Sequence, residues 1–181
     1  MQHRNLIPVC VLLSSLLVNI AGAADFSAWT SKVKITFAGY SKPETLANFP
    51  VVIQLGTNIP GFSYSQMASP SGGDLRFADS TETVELNYEI ERWDTGSLSY
   101  VWVQVPSLAN SSSAIWAYWG NAAATTPPNY TTNGATWSAN YRGVWHMKET
   151  PTNLAWFADS ASTNPGKFFD PSGTASVTTN G

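Results

Sequence analysis

Two carboxylates two positions apart form a pair that could support acid–base chemistry. Glu89 and Glu91 flank Ile90, so on a β-strand they share one face, about 6.5–7 Å apart along the chain. Inverting glycosidases hold their two carboxyl groups about 6.5–9.5 Å apart, and retaining enzymes about 5–5.5 Å apart. The spacing alone is therefore compatible with glycoside hydrolysis.

The neighbouring residues argue against catalysis. Jelly-roll glucanases carry a Glu-x-Asp-x-x-Glu motif on a strand, and the segment that begins at Glu89 is similar only at its start. Glu91 replaces the middle Asp, and Trp93 or Asp94 stands where the motif has its last acid. Surface carboxylates are usually just solvated. We therefore predict no catalytic residue and a protein that is not an enzyme.

No residue set points to a metal, a cofactor or a nucleophile. His146 is the only histidine beyond the first few residues, and it has no cysteine near it to complete a metal site. Asp74, Asp79 and Asp94 fall near predicted loops but lack the ligand ladder of a calcium-binding loop. A Gly-x-Ser-x-Gly elbow is also missing. We expect no cofactor and no bound metal.

The strand that carries the two acids can be paired with the next one by matching apolar faces. Apolar and polar side chains alternate in Glu85–Trp93, and three valines alternate in Ser99–Val105. A slip of one residue would exchange the two faces of a strand, so burial selects the pairing. The predicted pairs are Ile90 with Val103, Tyr88 with Val105 and Trp93 with Tyr100, joined by a turn at Thr95–Leu98.

This pairing predicts a binding face. If the valines enter the core, rings and polar groups share the outer face, and the predicted ligand-binding residues are Trp93, Tyr100, Trp102, Glu91 and Gln104. Aromatic rings beside carboxylates and amides suit sugars, whose C–H faces stack on rings while their hydroxyls find hydrogen-bond partners. The alternative is that a loop or a following domain covers these rings.

The elements that must position this face are short strands. At least six alternating runs, separated by Gly, Pro, Asn and Ser, are predicted at Val33–Phe37, Val51–Leu55, Asp74–Phe77, Glu85–Trp93, Ser99–Val105 and Ala114–Trp119. This spacing predicts an all-β fold, an antiparallel β-sandwich similar to a jelly roll. The long loop between Leu55 and Gly73 contains Phe62 and Tyr64, which we expect to pack on the core.

The first residues predict export. Arg4 precedes an almost purely apolar run from Leu6 to Leu17, and Ala21-Gly22-Ala23 follows. This is the pattern of a signal peptide over residues 1–23, and the run is shorter than the roughly 20 residues of a membrane span. The alternative is that residues 1–23 are not cleaved and remain as a membrane anchor. Cys10 lies inside the run, so the mature chain has no disulfide. We expect a secreted, periplasmic or cell-surface protein without membrane insertion after cleavage.

Composition limits the partners. The chain has 9 basic and 12 acidic residues, and the basic residues form no cluster, which excludes nucleic acid and anionic lipid as favoured partners. Eight Trp, seven Tyr and eight Phe supply large apolar areas for a small core. Some of these rings are expected to be exposed on the protein surface.

Composition changes after Asn121. Residues 122–141 are rich in Ala, Thr, Pro and Asn, and they are interpreted as a linker. Residues 142–181 are too few to fold alone without metal or disulfides. The predicted organisation is a signal peptide at 1–23, a β-sandwich at 24–121, this linker, and the truncated start of a second β domain at 142–181.

Several motifs in order carry a family resemblance. The first marks are Trp29 and Lys34-Ile35. The motifs that follow are Asn48-Phe49-Pro50-Val51, Gly73–Asp79, Tyr88–Trp93, Val101–Pro106 and Ile115–Asn121. Together they resemble DUF2341, a bacterial domain of unknown function, over Phe26 to Asn121. The resemblance implies a β-rich extracytoplasmic module without established catalytic residues. It also implies that Gly143–Met147, Asp159-Ser160 and Phe169-Asp170 open a laminin-G or concanavalin-A-like lectin domain, which often follows.

We expect a non-catalytic extracytoplasmic module that binds glycans or cell-surface material. The first alternative is a structural or interaction domain of a cell-envelope or adhesin assembly. The resemblance supports it, because the family also occurs beside inner-membrane proton-channel components related to biopolymer transport proteins. The second alternative is a glycoside hydrolase using Glu89 and Glu91. The expected partner is a glycan or a cell-envelope protein.

Overall fold

The part of the chain that the structure describes folds into short strands with almost no helix. The computed structural model describes residues 23–137, 140–148, 156–161 and 165–167, and among these no helix is long and apolar enough to cross a bilayer. The strands are β1 (Ser31–Thr36), β2 (Leu46–Leu55), β3 (Arg76–Ala78), β4 (Tyr88–Arg92), β5 (Ser99–Leu108), β6 (Ala114–Trp119), β7 (Trp156–Phe157) and β8 (Gly166–Lys167). Two 3-10 turns occupy Tyr64–Gln66 and Asn129–Thr131. The predicted all-β class is confirmed, with six strands at the predicted places and shifted ends.

Two antiparallel three-stranded sheets form the body, with the orders β1-β6-β3 and β2-β5-β4. In the first sheet, Ala117 of the central strand β6 lies opposite both Val33 of β1 and Phe77 of β3. In the second, β5 is central and pairs with β2 from Leu46 to Leu55. β7 and β8 form a separate antiparallel pair. This is the sandwich arrangement that the spacing of the runs predicts.

The core lies between the inner faces of the two sheets. Its β5 side is made by Val101, Val103 and Val105, whose exposures are 0, 0 and 1 %. β6 contributes Ile115 and Trp119, both fully buried. Burial of apolar side chains supplies most of the folding free energy of a chain without disulfides. The prediction that the valines face inward is confirmed.

The long loop between β2 and β3 closes one end of this core. Phe62 is buried, and its ring meets Trp119 edge-on at 5.0 Å. The hydroxyl of Tyr64 donates to the carbonyl of Leu55 at 2.8 Å and lies 2.7 Å from Oγ of Ser99. Phe62 and Tyr64 therefore anchor the loop, as predicted.

The pairing of β4 with β5 differs from the predicted one by two residues. Tyr88 lies opposite Val103 and Ile90 opposite Val101, so the predicted partners Val105 and Val103 are wrong. A shift of two leaves every side chain on its predicted face, because side chains alternate with a period of two. Tyr88 and the valines accordingly still enter the core.

A β-bulge near Glu91 reverses the alternation beyond it. The register shifts between Ile90 and Arg92, and Arg92 lies opposite Tyr100. The extra residue of a bulge sends the residues that follow to the opposite face. Trp93 therefore does not join Tyr100 on the outer face, and that prediction is wrong.

Trp93 instead packs at the end of the sandwich, against the core and the long loop. Its ring meets Tyr64 edge-on at 5.5 Å, and its Nε1 donates to the carbonyl of Pro70 at 2.8 Å. The ring also covers Gly72, where a Cβ would lie 2.9 Å from ring carbons and where φ is +78°. Glycine suits this position because it has no Cβ and tolerates a positive φ.

The stretch after β6, interpreted above as a linker, packs on the sandwich in its described part. Tyr130 meets Tyr88 edge-on at 5.6 Å and donates a hydrogen bond to Glu85. Burial, reinforced by that carboxylate, raises the pKa of Tyr130, so its hydroxyl remains a donor at neutral pH. Thr131 and Trp137 are also buried.

Candidate functional site

Glu89 and Glu91 project from the outer face of the β2-β5-β4 sheet. Glu89 lies directly opposite Trp102, between inward-pointing Tyr88 and Ile90. Glu91 sits in the bulge and reaches the indole of the same tryptophan. The bulge therefore brings both carboxylates to one spot, as bulges beside functional sites often do.

An imidazole lies between the two carboxylates. Nδ1 of His146 is 2.5 Å from Oε2 of Glu91, and Nε2 is 3.1 Å from Oε1 of Glu89. The Nε2 contact is an ion-pair distance without hydrogen-bond geometry. The three side chains are only 11 to 26 % exposed. The imidazole therefore contacts Glu91 through Nδ1 more closely than it contacts Glu89 through Nε2.

Each carboxylate receives further donors from the chain itself. Nε1 of Trp137 donates to Oε2 of Glu89 at 2.9 Å, and Oγ of Ser160 donates to Oε1 at 2.8 Å. Nε1 of Trp102 donates to Oε2 of Glu91 at 3.1 Å, and Nζ of Lys148 lies 3.3 Å from Oε1. Both acids are thus held by several partners, which offsets the cost of their partial burial.

Rings cover the outer face around these acids. The centroid of Trp137 lies 5.2 Å from that of Trp102, 5.6 Å from that of His146 and 5.5 Å from that of Tyr141. These separations fall in the range of favourable aromatic contacts. We name the set Glu89, Glu91, Trp102, Trp137 and His146 the acidic-aromatic cluster.

Amide side chains extend the contact along the same face. Nε2 of Gln104 donates to the carbonyl of Thr136 at 3.1 Å, and Nδ2 of Asn87 donates to the carbonyl of Ala135 at 3.0 Å. The backbone just before Trp137 is therefore hydrogen-bonded to side chains of the sheet.

Four of the five predicted ligand-binding residues are engaged by the chain itself. Glu91 and Trp102 are in the acidic-aromatic cluster, and Gln104 binds the backbone next to it. Trp93 lies elsewhere, at the end of the sandwich. Tyr100 is half-buried beside the bulge. The structure thus brings Glu91, Trp102 and Gln104 together on one face. Tyr100 lies near them, and Trp93 lies away from this face.

Sequence reasoning missed Trp137, Lys148 and Ser160, and it found no role for His146. Trp137 and Ser160 lie 48 and 71 residues from Glu89 in sequence, so no local spacing could have connected them. A useful signal would have been the tryptophan inside a stretch otherwise typical of a linker, since a large ring is expensive to leave exposed.

The two carboxylates face one lysine, Lys148, and one histidine, His146. In the part of the chain that the structure describes, no group of three or more His, Cys, Asp or Glu side chains could hold a metal ion. The arrangement is suited to joining segments of the chain through hydrogen bonds and ring contacts.

A family model matches residues 71–141. The matched segment runs from the end of the long loop through β3, β4, β5 and β6 to Tyr141, and so includes Trp137. No curated protein and no solved structure matches the chain. The match does not extend to the lectin-like continuation, which stays a prediction. The matching model is that of the family described as domain of unknown function (DUF2341), so residues 71–141 are similar to that family.

Proposed function

We propose that this domain is a non-catalytic structural module of an exported protein, and that its outer sheet face binds the polypeptide that follows it. The observation that carries the proposal is the convergence of Trp137, His146 and Ser160 on Glu89 and Glu91. Side chains from three places downstream of β6 thus meet on two adjacent acids. Of the functions considered, an interaction domain of an envelope or adhesin assembly fits this geometry best.

The energetics favour a stable contact. Hydrogen bonds to a charged group contribute about 1.5–3 kcal/mol each when well formed, and an aromatic pair adds about 0.5–1.5 kcal/mol. Removing one donor from a partly buried carboxylate is destabilising, because the acid then stays partly buried with one hydrogen-bond partner fewer. The contact is therefore expected to hold the downstream chain on the sheet.

The glycoside hydrolase alternative is less well supported by this geometry. His146 lies 2.5 Å from Glu91 and 3.1 Å from Glu89, in the space where a glycosidic oxygen would need to bind. Hydrolysis would require the downstream segment to leave. A broad polysaccharide panel that yields reducing ends with the wild type, but not with Glu89→Gln, would restore this alternative.

On the same face, the chain itself occupies groups that a glycan would need to contact. Trp102 is covered by Trp137, and the amide of Gln104 is bound to Thr136. Tyr100 and the 38 %-exposed Val52 remain as the open part of the face. A pull-down on polysaccharides in which Trp102→Ala loses binding, while keeping its fold, would favour a glycan over a structural role.

The test of the structural role uses hydrogen exchange on the full chain. Glu89→Gln combined with Glu91→Gln should increase amide exchange across 140–148 about tenfold or more, because the carboxylate contacts with His146 and Lys148 are lost. Glu44→Gln is the matched control, since Glu44 is an exposed acid that precedes β2 and is not part of the acidic-aromatic cluster. Unchanged exchange in the double variant would contradict the proposal.

The proposed export is tested separately. We expect the protein recovered from the medium or the cell envelope to begin at Ala24. A protein that retains residues 1–23 in the cytoplasm would contradict export without affecting the structural proposal.

A further inference from the structure

A second site lies on the opposite sheet, on the outer face of β1-β6-β3. It is an open cavity of about 300 Å³ lined by Phe26, Ser27, Trp29, Lys32, Glu82 and Tyr118. We call it the Trp29 pocket. It shares no residue with the acidic-aromatic cluster, so whatever it binds is independent of the function proposed above. Its volume is at the lower end of those of ligand pockets.

The apolar wall of the Trp29 pocket consists of rings that pack against one another. The rings of Phe26 and Tyr118 are stacked with centroids 4.3 Å apart and planes 14° from parallel. Trp29 meets Phe26 edge-on at 5.7 Å, and its Nε1 donates to the carbonyl of Asp74 at 2.8 Å. The indole is therefore held in place from two sides before any ligand arrives, which reduces the entropy lost on binding.

The polar wall presents a donor and an acceptor side by side. Nζ of Lys32 lies 2.5 Å from Oε2 of Glu82, and the hydroxyl of Tyr118 donates to the same oxygen. The hydrogen bonds from Lys32 and then from Tyr118 lower the pKa of Glu82, so its carboxylate is ionised at neutral pH. Lys32 is 46 % and Glu82 32 % exposed, which leaves both groups accessible to a ligand.

Glu82 has an unfavourable backbone conformation. Its φ is +61°, a left-handed conformation that is uncommon for a residue other than glycine and costs about 1–3 kcal/mol. The turn is held by Asp79, whose carboxylate accepts hydrogen bonds from the backbone N–H groups of Thr83 and Val84 at 2.9 Å each. A glycine would adopt this backbone conformation at lower cost, so exchanging Glu82 for glycine removes the carboxylate without straining the turn.

We propose that the Trp29 pocket binds a neutral pyranose ring, such as a terminal sugar residue of a glycan. The opposite charges of Lys32 and Glu82 cancel, which disfavours an anion or a cation as ligand. A sugar hydroxyl both donates and accepts, so adjacent hydroxyls can bond Glu82 and Lys32 together. The C–H face of the ring then packs against the indole of Trp29.

The test measures binding of methyl α- and β-pyranosides of glucose, galactose and mannose to the full chain, by saturation-transfer NMR and calorimetry. We expect at least one of them to bind with a dissociation constant in the millimolar range, on the order of 1–10 mM. Methyl glucuronoside should bind no more tightly than the neutral sugars. Failure of every pyranoside at about 50 mM would overturn the proposal.

Two variants locate the binding site. Glu82→Gly removes the carboxylate at a position where glycine relieves the backbone, so it should fold and yet weaken binding about tenfold or more. Lys34→Ala is the matched control, because Lys34 is an exposed residue of β1 that does not line the pocket. Equal affinity for wild type and Glu82→Gly would place any sugar elsewhere. If Glu82→Gly fails to fold, Lys32→Met replaces it. Lys32→Met should also weaken sugar binding about tenfold or more, and an affinity equal to that of the wild type would place any sugar elsewhere.

Discussion

The indole Nε1 of Trp137 donates a 2.9 Å hydrogen bond to Oε2 of Glu89 across 48 residues of sequence. The bond crosses from the segment after β6 to the outer face of β4, and the same indole lies against Trp102. One side chain thus closes the outer face by both a polar and a ring contact. The first two predictions separate these contributions.

Trp137→Phe keeps most of the ring and removes the N–H donor. Because Glu89 is only 15 % exposed, loss of a hydrogen bond to its carboxylate should lower the free energy of unfolding by about 1–2 kcal/mol. Urea denaturation of the full chain measures this. Trp116→Phe on the opposite sheet is the control, and an equal loss there would show that ring size alone is responsible.

Trp102→Ala removes the ring that contacts Trp137 and donates to Glu91. We expect the free energy of unfolding to fall by about 2–3 kcal/mol, since a half-buried Trp packed against Trp137 leaves a gap that its neighbours cannot fill. Val52→Ala, at the position opposite Trp102 on β2, should cost less than about 1 kcal/mol. Similar values for the two variants would indicate that Trp137 does not cover Trp102 in solution.

Gly73→Ala tests how closely the chain after β6 packs against the long loop. A Cβ at Gly73 would lie 1.7 Å from the backbone oxygen of Thr125, so one of the two backbones must move. We expect destabilisation of about 2–3 kcal/mol. Gly39→Ala is the control, because a Cβ at Gly39 meets nothing within 4 Å. A neutral Gly73→Ala would mean that residues near Thr125 are not docked.

Asp79→Asn should change the acid dependence of stability. Desolvation raises the pKa of Asp79, but hydrogen bonds from the Thr81 side chain and the backbone N–H groups of Val84 and Thr83 outweigh it and leave the pKa lowered from 3.8. A carboxyl with a lowered folded pKa stabilises the fold above its unfolded pKa, and this contribution disappears as the pH falls through the folded value.

The wild type should therefore lose stability below about pH 4 more steeply than Asp79→Asn does. Urea midpoints measured at intervals between about pH 2 and pH 6 give the comparison. Glu44→Gln, at an exposed site, should follow the wild type. Parallel curves for the wild type and Asp79→Asn would contradict the role given to this carboxylate in holding the turn of Glu82.

The errors in the predicted β4-β5 hairpin have distinct physical origins. Alternation of side chains assigned Tyr88 and the valines to the core, because one residue of slip would expose them. It could not distinguish Val103 from Val105 as the partner of Tyr88, since pairings two residues apart bury the same faces. The bulge near Glu91, which moved Trp93, adds one residue to one strand and leaves no mark in the alternation before it.

By itself, the sequence determined the all-β class, the places of six strands, the inward valines and the anchoring of the long loop by Phe62 and Tyr64. These properties follow from period-two burial and from large rings that must be covered, and both are local in the chain. Only the tertiary structure decided the strand register, the inward turn of Trp93 and the meeting of Glu89 with Trp137 and His146. Those contacts join residues tens of positions apart, and their geometry depends on how whole sheets and segments pack together.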